Sequence, residues 1–383
     1  MKKHLESPLA CLLLLAILFL ALISGRLYRS QFNPSSFIVA GDRYCDPSRV
    51  PSNLSVLHNS DGFDGQFYYR LALNPFTSQR TEFGITLDTP ALRHQRILYP
   101  LLSLLISLGN REFVPTAMIL LNFLSLCLMG WIGGIYARAL NRQALWGILL
   151  PLYPGFLLSL TRDTTEILEA TLLLGSLLLV RRRSFFWATL LLALAVLTRE
   201  TAVLVAAAAL VVYLRNVWKT QTIEEVTWYY AVVPIAAFVA WQFILFHVWG
   251  ELPLMASSGS NLGIPFVALI SSILAAAKLQ QVRKLTELTF LIGFVLAVLY
   301  CLRSSTAALL ETFSWLLLAA LVFSLSHVAW IEDWTFMRAF SLVYGLGVII
   351  IVSGDCKIKY AVFTCSLILW MVLFSMLLRF YSW

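Results

Sequence analysis

The chain has 383 residues, of which 60% are hydrophobic and only 13% are charged, and its mean hydropathy is +0.81. Soluble globular proteins carry about 25% charged residues, so this chain cannot cover a water-facing surface, and a soluble enzyme is excluded. The 28 Lys and Arg against 20 Asp and Glu are typical of loops that orient membrane helices and predict no nucleic-acid partner. The composition predicts an all-α polytopic membrane protein.

The first predicted element is an apolar helix near the N-terminus. Two lysines, at positions 2 and 3, precede an apolar stretch from Pro8 to Gly25. The layout resembles a signal peptide, but the stretch is long and further spans follow. Residues 1–25 therefore predict an uncleaved first transmembrane helix with its N-terminus in the cytoplasm. Residues 26–95 form a long polar segment, and because loops of this length are commonly functional, we expect an extracytoplasmic catalytic loop.

From residue 96 onward the sequence is almost wholly apolar. The stretch from Ile97 to Leu108 is too short to cross a bilayer, which takes about 20 residues, so a short embedded or tilted helix is expected there. Residues 96–249 are predicted to form the transmembrane core and residues 250–383 a variable C-terminal transmembrane region. With the first helix these regions give about eleven to twelve spans, near residues 113–137, 144–160, 163–181, 185–198, 201–217, 228–249, 261–277, 286–303, 305–325, 338–353 and 358–379.

Positive charges in alternate loops orient the spans up to residue 249. The charges that are predicted to lie in the cytoplasm are Arg138, Arg142, Arg181, Arg182, Arg183, Arg215 and Lys219. The intervening turns, residues 161–166 and 198–201, then lie on the same side of the membrane as the long first loop.

Two topologies stay open after residue 249. If residues 261–277 cross the membrane, the cytoplasmic charges are Lys278, Arg283, Lys284, Arg338 and Arg379. If that segment is instead an amphipathic interfacial helix, Arg338 faces outward and the cytoplasmic charges are Arg303, Lys357 and Lys359. Five positive charges against three favour the first topology by the positive-inside rule.

Four short clusters of ionisable side chains hold the candidate site residues, because such groups are costly near a membrane. The first cluster contains Asp61 and Asp64, each followed by a glycine, and then Gln66, Tyr68 and Tyr69. The acids on a tight turn are candidates for proton abstraction, and the aromatic run could stack on a ligand ring. The same residues also fit an Asp-Gly turn followed by an interfacial aromatic anchor.

The other three clusters also have two interpretations each. Arg93 and Arg96 precede the short apolar helix, where they could clamp a lipid phosphate or make general headgroup contacts. Asp163 and Glu166 have the spacing of a capping box, which would begin a helix. Alternatively, they are catalytic or binding carboxylates at the mouth of a helix bundle. Arg199 lies between two apolar runs, either as the polar tip of a hairpin or as an anion-binding group.

One combination accounts for all four clusters. Acids for proton abstraction and arginines for a lipid-linked phosphate would together form an outward-facing site. The sequence contains no GxGxxG, GxxxxGK[ST] or HExxH motif, and its six cysteines show neither a CxxC pair nor a metal-binding spacing. Nucleotide chemistry is therefore not predicted, and the substrate is expected to arrive through the membrane.

The order of these features resembles the GT-C glycosyltransferases, polytopic enzymes that use polyprenyl-phosphate sugars and include the protein mannosyltransferase and aminoarabinose transferase types. The similar elements, in chain order, are the first-loop motif around Asp64, the short helix led by Arg96, the second outward acid at Asp163 with Glu166, and Arg199 at a tight hairpin. The resemblance covers residues 1 to 217 and, beyond them, the segment 334–338. In several GT-C families the first-loop acid is part of a pair, which is not the case here.

The resemblance implies a membrane glycosyltransferase that moves a sugar, with inversion, from a polyprenyl-phosphate-linked donor to an acceptor hydroxyl on a lipid, glycan or protein. Asp64 would be the general base, and Asp163 and Glu166 would orient the acceptor or an arginine. The groups implied in substrate binding are Asp61, Gln66, Tyr68, Tyr69, Arg93, Arg96, Arg199 and, as the late outward arginine of such enzymes, Arg338. No cofactor is required, although the acids could recruit a divalent metal ion. The expected location is a bacterial inner membrane, among its lipids, with the site facing the periplasm.

Two other functions fit parts of this pattern. A transporter or flippase of a lipid-linked or anionic substrate would carry polar residues near mid-membrane and commonly show repeated halves. Here the charges gather at the ends of spans, and no internal repeat is visible. A polysaccharide polymerase or ligase would also use outward arginines, but its large functional loop would more typically lie late in the chain. The sequence favours the glycosyltransferase.

Overall fold

Helices dominate the computed structural model, which describes residues 7–219, 226–256 and 261–380. The helices up to residue 256 are α1 (Pro8–Arg29), α2 (Gly65–Leu73), α3 (Pro90–Gln95), α4 (Leu98–Ile106), α5 (Val114–Ala139), α6 (Pro154–Leu160), α7 (Glu166–Arg181), α8 (Phe185–Thr198), α9 (Val203–Trp218), α10 (Trp228–Trp249) and α11 (Pro253–Ala256). The later helices are α12 (Val267–Lys278), α13 (Val282–Cys301), α14 (Leu309–Phe323), α15 (His327–Ile331), α16 (Asp333–Ala339), α17 (Ser341–Ser353) and α18 (Ile358–Phe380).

Short 3₁₀ helices and strands fill the connections. The 3₁₀ helices cover Pro34–Phe37, Arg111–Phe113, Ala144–Leu149 and Glu200–Ala202. The strands are β1 (Ala40–Gly41), β2 (Val56–Leu57), β3 (Thr81–Glu82) and β4 (Ile85–Thr86). β1 pairs with β2 in parallel, and β3 pairs with β4 antiparallel. All four strands lie in the long first loop, which is therefore a folded unit.

The prediction of an all-α polytopic membrane protein is confirmed. Within residues 7–219, 226–256 and 261–380, six helices are long and apolar enough to cross a membrane. They are Pro8–Arg29, Arg111–Ala139, Glu200–Trp218, Trp228–Trp249, Val282–Cys301 and Ile358–Leu377. A seventh span is available if α16 and α17, which meet at a bend of 48°, count as one. The remaining expected spans correspond to shorter helices. Lys2 and Lys3, used to orient the first helix, lie outside the described residues.

Two expected spans are interrupted. Residues 144–160 form a 3₁₀ helix and then the short α6, because Pro151 and Pro154 prevent one continuous helix. The expected span at 338–353 is broken at Phe340, between α16 and α17. Both breaks bring short helices, rather than straight spans, towards the first loop. The short helix expected at 97–108 is present as α4.

The structure bears on the two topologies after residue 249. Arg338 makes an ion pair with Asp64 of the first loop at 3.0 Å, so the two residues lie at the same end of the bundle. At the opposite end, Arg142 pairs with Asp355. α12 has 12 residues and is about 18 Å long, too short to cross a hydrocarbon core of about 30 Å. These contacts favour the interfacial-helix topology, in which Arg338 and Asp64 face the same side, over the topology favoured by the charge count.

Besides Arg338, two of the five charges in that count have partners nearby. Arg283 pairs with Asp333 at 2.5 Å and lies 3.7 Å from Glu287. Lys284 donates a hydrogen bond to the carbonyl of Ile331 at 2.8 Å.

The first loop is fixed to the helix bundle by a hydrophobic cluster of its own. Tyr68 and Tyr69 of α2 pack with Tyr99 of α4 and Met118 of α5, and all four are buried. At the start of α2, Gly65 allows close approach, because a Cβ there would collide with the carbonyl oxygen of Arg162. α2 is therefore held against the turn between α6 and α7, which places Asp64 next to that turn.

Candidate active site

Asp64 lies where the first loop meets the C-terminal part of the chain. Its Oδ1 accepts a hydrogen bond from Nη1 of Arg93 at 2.9 Å, and its Oδ2 accepts one from Nη2 of Arg338 at 3.0 Å. Arg338 is 274 positions from Asp64 in the sequence, so this carboxylate joins distant segments. The Asp64 side chain is 24% exposed, against 13% for Arg93 and 10% for Arg338. The carboxylate is therefore accessible while its partners are mostly enclosed.

Glu166, at the start of α7, is the second carboxylate of the cluster. Its Oε1 forms an ion pair with Nη1 of Arg199 at 2.8 Å and lies 3.8 Å from Nη1 of Arg338. Arg338 thus lies between Asp64 and Glu166. Glu166 is almost completely buried, so a ligand would reach the arginines before it reached this acid.

Arg96, between α3 and α4, binds Glu200 through two parallel hydrogen bonds. Its Nε donates to Oε2 of Glu200 at 3.0 Å and its Nη2 donates to Oε1 at 2.6 Å. The remaining Nη1 donates to the hydroxyl of Tyr68 at 2.8 Å. This fork is the geometry in which arginine binds carboxylates and phosphates most strongly.

Arg93 is shared between two acids. Besides its bond to Asp64, it donates from Nε to Oδ1 of Asp88 at 2.8 Å and from Nη2 to Oδ2 of Asp88 at 2.7 Å. The guanidinium also lies over the ring of Phe67, 4.5 Å from its centroid. Arg93 is thereby held in one orientation facing Asp64.

We call these four arginines and four acids the ion-pair cluster; six of them are linked in one chain of ion pairs, and Arg96 and Glu200 form a separate pair. Its members are Arg93, Arg96, Arg199, Arg338, Asp64, Asp88, Glu166 and Glu200. The formal charges cancel, as expected for charges removed from water. The sequence singled out neither Asp88 nor Glu200 as a site residue. Glu200 directly follows Arg199, and Asp88 precedes Arg93 by five positions, but neither spacing reveals a partner.

The arginines of the cluster keep Asp64 ionised. Burial by itself raises the pKa of its carboxyl, but the charges of Arg93, Arg338 and Arg96 outweigh it and hold the pKa well below the usual range. Burial also raises the pKa of Asp88, yet the hydrogen bonds and charge of Arg93 lower it overall. At neutral pH, Asp64 is thus a carboxylate with a weak affinity for protons.

Arg162 supports the cluster from the turn between α6 and α7. Its guanidinium lies 4.4 Å from the ring centroid of Phe63 and 5.4 Å from that of Trp334, and these two rings meet edge to face at 5.3 Å. Phe63 precedes Asp64, and the carbonyl of Trp334 accepts a hydrogen bond from Nε of Arg338 at 2.9 Å. This aromatic–cation contact positions both partners of the Asp64–Arg338 pair.

Asp163 occupies a different place from the one expected at the mouth of the bundle. It is fully buried and has a positive φ of 45°, which is uncommon outside glycine. Its Oδ1 accepts a hydrogen bond from Nδ2 of Asn122 at 3.3 Å, and the same amide donates to the hydroxyl of Tyr99 at 2.8 Å. Within the described part of the chain, no ion pair links it to the cluster. The geometry favours a role in shaping the turn that carries Arg162 and Glu166.

Three further residues named from the sequence also lie away from the cluster. The side chain of Gln66 donates to the carbonyl of Asp61 at 2.9 Å and accepts from the amide of Gly41 at 3.1 Å. Tyr69 donates its hydroxyl hydrogen to Asn53 at 3.1 Å. The side chain of Asp61 is exposed and pairs with Arg43 at 2.7 Å. These contacts stabilise the first loop, whereas Tyr68 reaches the cluster through Arg96.

The acids of the site face arginine nitrogens rather than one another. Among residues 7–219, 226–256 and 261–380, no group of three or more His, Cys, Asp or Glu is placed to hold a metal ion. The groups available to bind an anion are the guanidinium groups of the ion-pair cluster.

A large apolar groove lies beside α16. It has a volume of about 930 Å³ and runs between α13 and α18, with Phe290, Phe294, Val362 and Leu369 among its lining residues. Arg283 also lines the groove and pairs with the first residue of α16. The helix that carries Arg338 therefore starts beside this groove.

No family model matches the sequence, and no curated protein matches it. The fold is similar to that of ArnT from Cupriavidus metallidurans, whose crystal structure contains undecaprenyl phosphate, with a TM-score of 0.52 at 13% sequence identity. The match covers 88% of this chain and 60% of that chain, so this chain spans about three fifths of the length of ArnT. The predicted GT-C-like fold is thereby confirmed: the chain has a membrane fold similar to that of ArnT.

Proposed function

We propose that this protein is a membrane glycosyltransferase that transfers a sugar from a polyprenyl-phosphate-linked donor to an acceptor hydroxyl at the outer face of the membrane. The observation that carries the proposal is the position of Asp64, a partly exposed carboxylate held between Arg93 and Arg338. The ArnT-like fold supports it, since that structure contains undecaprenyl phosphate. A base beside cations that can take a phosphate is what this transfer requires.

The arginines of the cluster would bind the donor phosphate. Arg338 and Arg199 share Glu166, and Arg96 presents a two-pronged donor set to Glu200. A phosphate has the same charge sign and hydrogen-bonding pattern as these carboxylates, so it can replace them as an arginine partner. The apolar groove between α13 and α18 would hold the prenyl chain, because it lies beside α16.

The reaction would proceed by direct displacement at the anomeric carbon. The acceptor oxygen forms the new bond to that carbon while the bond to the phosphate oxygen breaks, and the phosphate leaves with the electron pair. The hydroxyl proton passes to Asp64. The charge that develops on the phosphate is stabilised by Arg338 and the other arginines, which are held in place before the reaction. Attack opposite to the leaving group inverts the anomeric configuration.

Donor binding would also make Asp64 a better base. In the free protein, Arg93 and Arg338 hold its pKa low. A phosphate that draws these arginines towards itself removes part of their effect and adds a negative charge nearby, and both changes raise the pKa of Asp64. The carboxylate thus gains proton affinity at the stage when the acceptor must be deprotonated.

This mechanism predicts different pH profiles for kcat/KM and kcat. Because kcat/KM reports the free protein, its acid limb for Asp64 is expected below the ordinary aspartate pKa of about 4, and kcat/KM should stay level from about pH 5 to 7. The acid limb of kcat, which reports the donor complex, is expected at a higher pH. Initial rates of sugar transfer across this range measure both. Coincident limbs near pH 6 would contradict the proposed change.

Filling the apolar groove is expected to weaken donor binding. Gly293 lines the groove. A Cβ added there would meet no atom within 4 Å, so a larger side chain has room to extend into the groove. The substitution Gly293→Phe should raise the KM for the donor about tenfold, with little change in kcat. This effect corresponds to displacing two carbon groups of the prenyl chain from the groove, at about 0.8 kcal/mol each. Leu296→Phe is the matched control, because Leu296 is 60% exposed and does not line the groove. Equal KM values for the two variants would remove the groove from donor binding.

The proposal as a whole is tested with the purified full chain in lipid nanodiscs. Synthetic polyprenyl-phosphate donors with different sugars are incubated with the protein, and lipid products are separated by mass. Appearance of free polyprenyl phosphate together with sugar transfer or release supports the function. Absence of turnover for every donor, in a preparation that binds polyprenyl phosphate, would count against it.

A further inference from the structure

α16, the short helix that carries Arg338, is held at its start by two neighbouring side chains of α13. Nη2 of Arg283 pairs with Oδ2 of Asp333, the first residue of α16, at 2.5 Å. Lys284 donates from Nζ to the carbonyl of Ile331, two positions before α16, at 2.8 Å. Both contacts join the beginning of α13 to the beginning of α16, so one helix fixes where the other starts.

Two buried carboxylates surround the Arg283 guanidinium. The Asp333 side chain is 6% exposed, and its Oδ1 also accepts a hydrogen bond from the amide of Trp334 at 3.0 Å. Nε of Arg283 lies 3.7 Å from Oε1 of Glu287, which is one turn further along α13 and fully buried. Removal of Arg283 would leave both carboxylates without this cation, which is costly for buried charges.

Residues that line the apolar groove contact both ends of α16. Arg283 lines the groove and pairs with the first residue of the helix. At the other end, the ring of Phe294, which also lines the groove, meets that of Phe340 edge to face, with the centroids 6.0 Å apart. Phe340 lies at the bend between α16 and α17. The wall of the groove therefore supports α16 at its start and at its end.

The segment between these two supports carries the arginine that contacts Asp64. The carbonyl of Trp334 accepts a hydrogen bond from Nε of Arg338 at 2.9 Å, and Nη2 of Arg338 donates to Oδ2 of Asp64 at 3.0 Å. Trp334 directly follows Asp333 in the chain. The ion pair made by Arg283 is therefore one residue away from the carbonyl that orients Arg338.

We propose that Arg283 is a positioning residue for sugar transfer: through its pair with Asp333 it holds α16 so that Arg338 contacts Asp64. This inference rests on the proposed function. Among the described residues, Arg283 forms ion pairs with Asp333 and Glu287 and with no member of the ion-pair cluster, so it acts through the helix. Stabilisation of a developing charge requires donors that are in place before the reaction, and the hold on α16 keeps Arg338 in place.

Steady-state kinetics of Arg283→Met test the proposal, with the full chain in nanodiscs and a synthetic polyprenyl-phosphate sugar as donor. We expect kcat to fall about tenfold, a moderate effect for the misplacement of a group at the site. The KM for the donor should change less than about threefold, because the long side chain of Arg338 can still reach a bound phosphate. Gly293→Phe, which fills the groove, is expected to show the opposite pattern, a raised KM with little change in kcat.

The acid limb of kcat/KM distinguishes positioning from a general loss of folded protein. Burial raises the pKa of the Asp64 carboxyl, but three nearby guanidinium charges outweigh burial. They belong to Arg93, Arg338 and Arg96. When α16 is displaced, the charge of Arg338 moves away while the other two stay, so the acid limb in Arg283→Met should lie about one pH unit above that of wild type. A variant that had only lost folded protein would keep the wild-type limb.

Two further variants and a control make the test independent of how well Arg283→Met folds. Asp333→Asn removes the charge but keeps an oxygen for the amide of Trp334, so it should show the same changes to a smaller extent. Arg283→Lys should recover most of kcat and the wild-type acid limb, because the pair with Asp333 uses one nitrogen. Lys278→Met removes an exposed positive charge from the end of α12 and should match wild type.

Amide hydrogen exchange of α16, measured by mass spectrometry, gives a readout that needs no turnover. Release of the start of the helix should speed exchange in residues 333–340 at least about threefold in Arg283→Met, and not in Lys278→Met. An unchanged acid limb or unchanged exchange in Arg283→Met overturns the proposal, while turnover by wild type leaves the proposed function standing. If the wild type transfers no sugar, the proposed function fails, whereas faster exchange in Arg283→Met still supports the hold of Arg283 on α16.

Discussion

Replacing Asp64 by asparagine is expected to lower the rate of sugar transfer by about 10²–10⁴-fold, the usual contribution of a general base. Asparagine keeps the size of the side chain and one oxygen for Arg93 or Arg338, but it cannot take the acceptor proton. Binding of polyprenyl phosphate should persist, because the arginines stay in place. Initial rates of transfer and equilibrium binding of polyprenyl phosphate, measured on the same preparations, separate the two effects.

Asp46→Asn is the control for this substitution. Asp46 belongs to the same loop but is bonded to Ser48 at the surface, away from the ion-pair cluster. Its substitution should change the transfer rate by less than about twofold, since surface changes of this kind alter free energies by about 0.5 kcal/mol or less. If Asp64→Asn transferred sugar as fast as Asp46→Asn, Asp64 would not be the base.

Replacing Arg338 by methionine is expected to reduce kcat/KM for the donor by about 10²–10³-fold. Removal of one group that stabilises a developing oxyanion has an effect of this size, and Arg338 contacts both Asp64 and Glu166. Arg338→Lys keeps the charge but not the planar fork, so it should recover only part of the activity. Steady-state kinetics with varied donor concentration measure the series.

The Arg338 series also tests the topology of the site. Arg303 was assigned to the opposite end of the bundle by the interfacial-helix topology, so Arg303→Met should leave kcat/KM nearly unchanged. Equal losses at Arg303 and Arg338 would indicate general destabilisation, and thermal unfolding of each variant checks this. Full recovery in Arg338→Lys would show that only a positive charge is needed there.

The sequence was sufficient to predict the membrane class and the approximate order of helices. Apolar runs of known length determine where spans can form, because the bilayer has a fixed thickness. Two of these runs are interrupted, at 144–160 by prolines and at 338–353 by the bend at Phe340. Pro151 was visible in the sequence, whereas the bend at Phe340 depends on packing that no local pattern shows.

The candidate site was predicted in part. Asp64, Arg93, Arg96 and Arg199 were identified because charges near a membrane are costly, and all four lie in the ion-pair cluster. Asp163 was grouped with them from its spacing to Glu166, yet the turn between α6 and α7 directs it inward to Asn122. A spacing of three places two residues on one side of a helix only if both belong to it, and here the helix starts at Glu166.

Pairing between distant segments was beyond the sequence. The contact between Asp64 and Arg338 spans 274 positions, and that between Arg96 and Glu200 spans 104. The positive-inside count even favoured a topology that would have separated Asp64 from Arg338. The count considers each loop charge by itself, whereas the contact of Arg338 with Asp64 appears only in the folded chain.

Turnover of a synthetic donor by the wild-type protein in liposomes tests the central claim most directly. The donor carries a radiolabelled sugar on polyprenyl phosphate, and the same vesicles report both loss of sugar from the lipid and movement of the lipid across the bilayer. We predict loss of the sugar from the lipid, with free polyprenyl phosphate as the second product and no protein-dependent movement of intact donor. Movement of intact donor without loss of sugar would identify a lipid transporter and contradict the account.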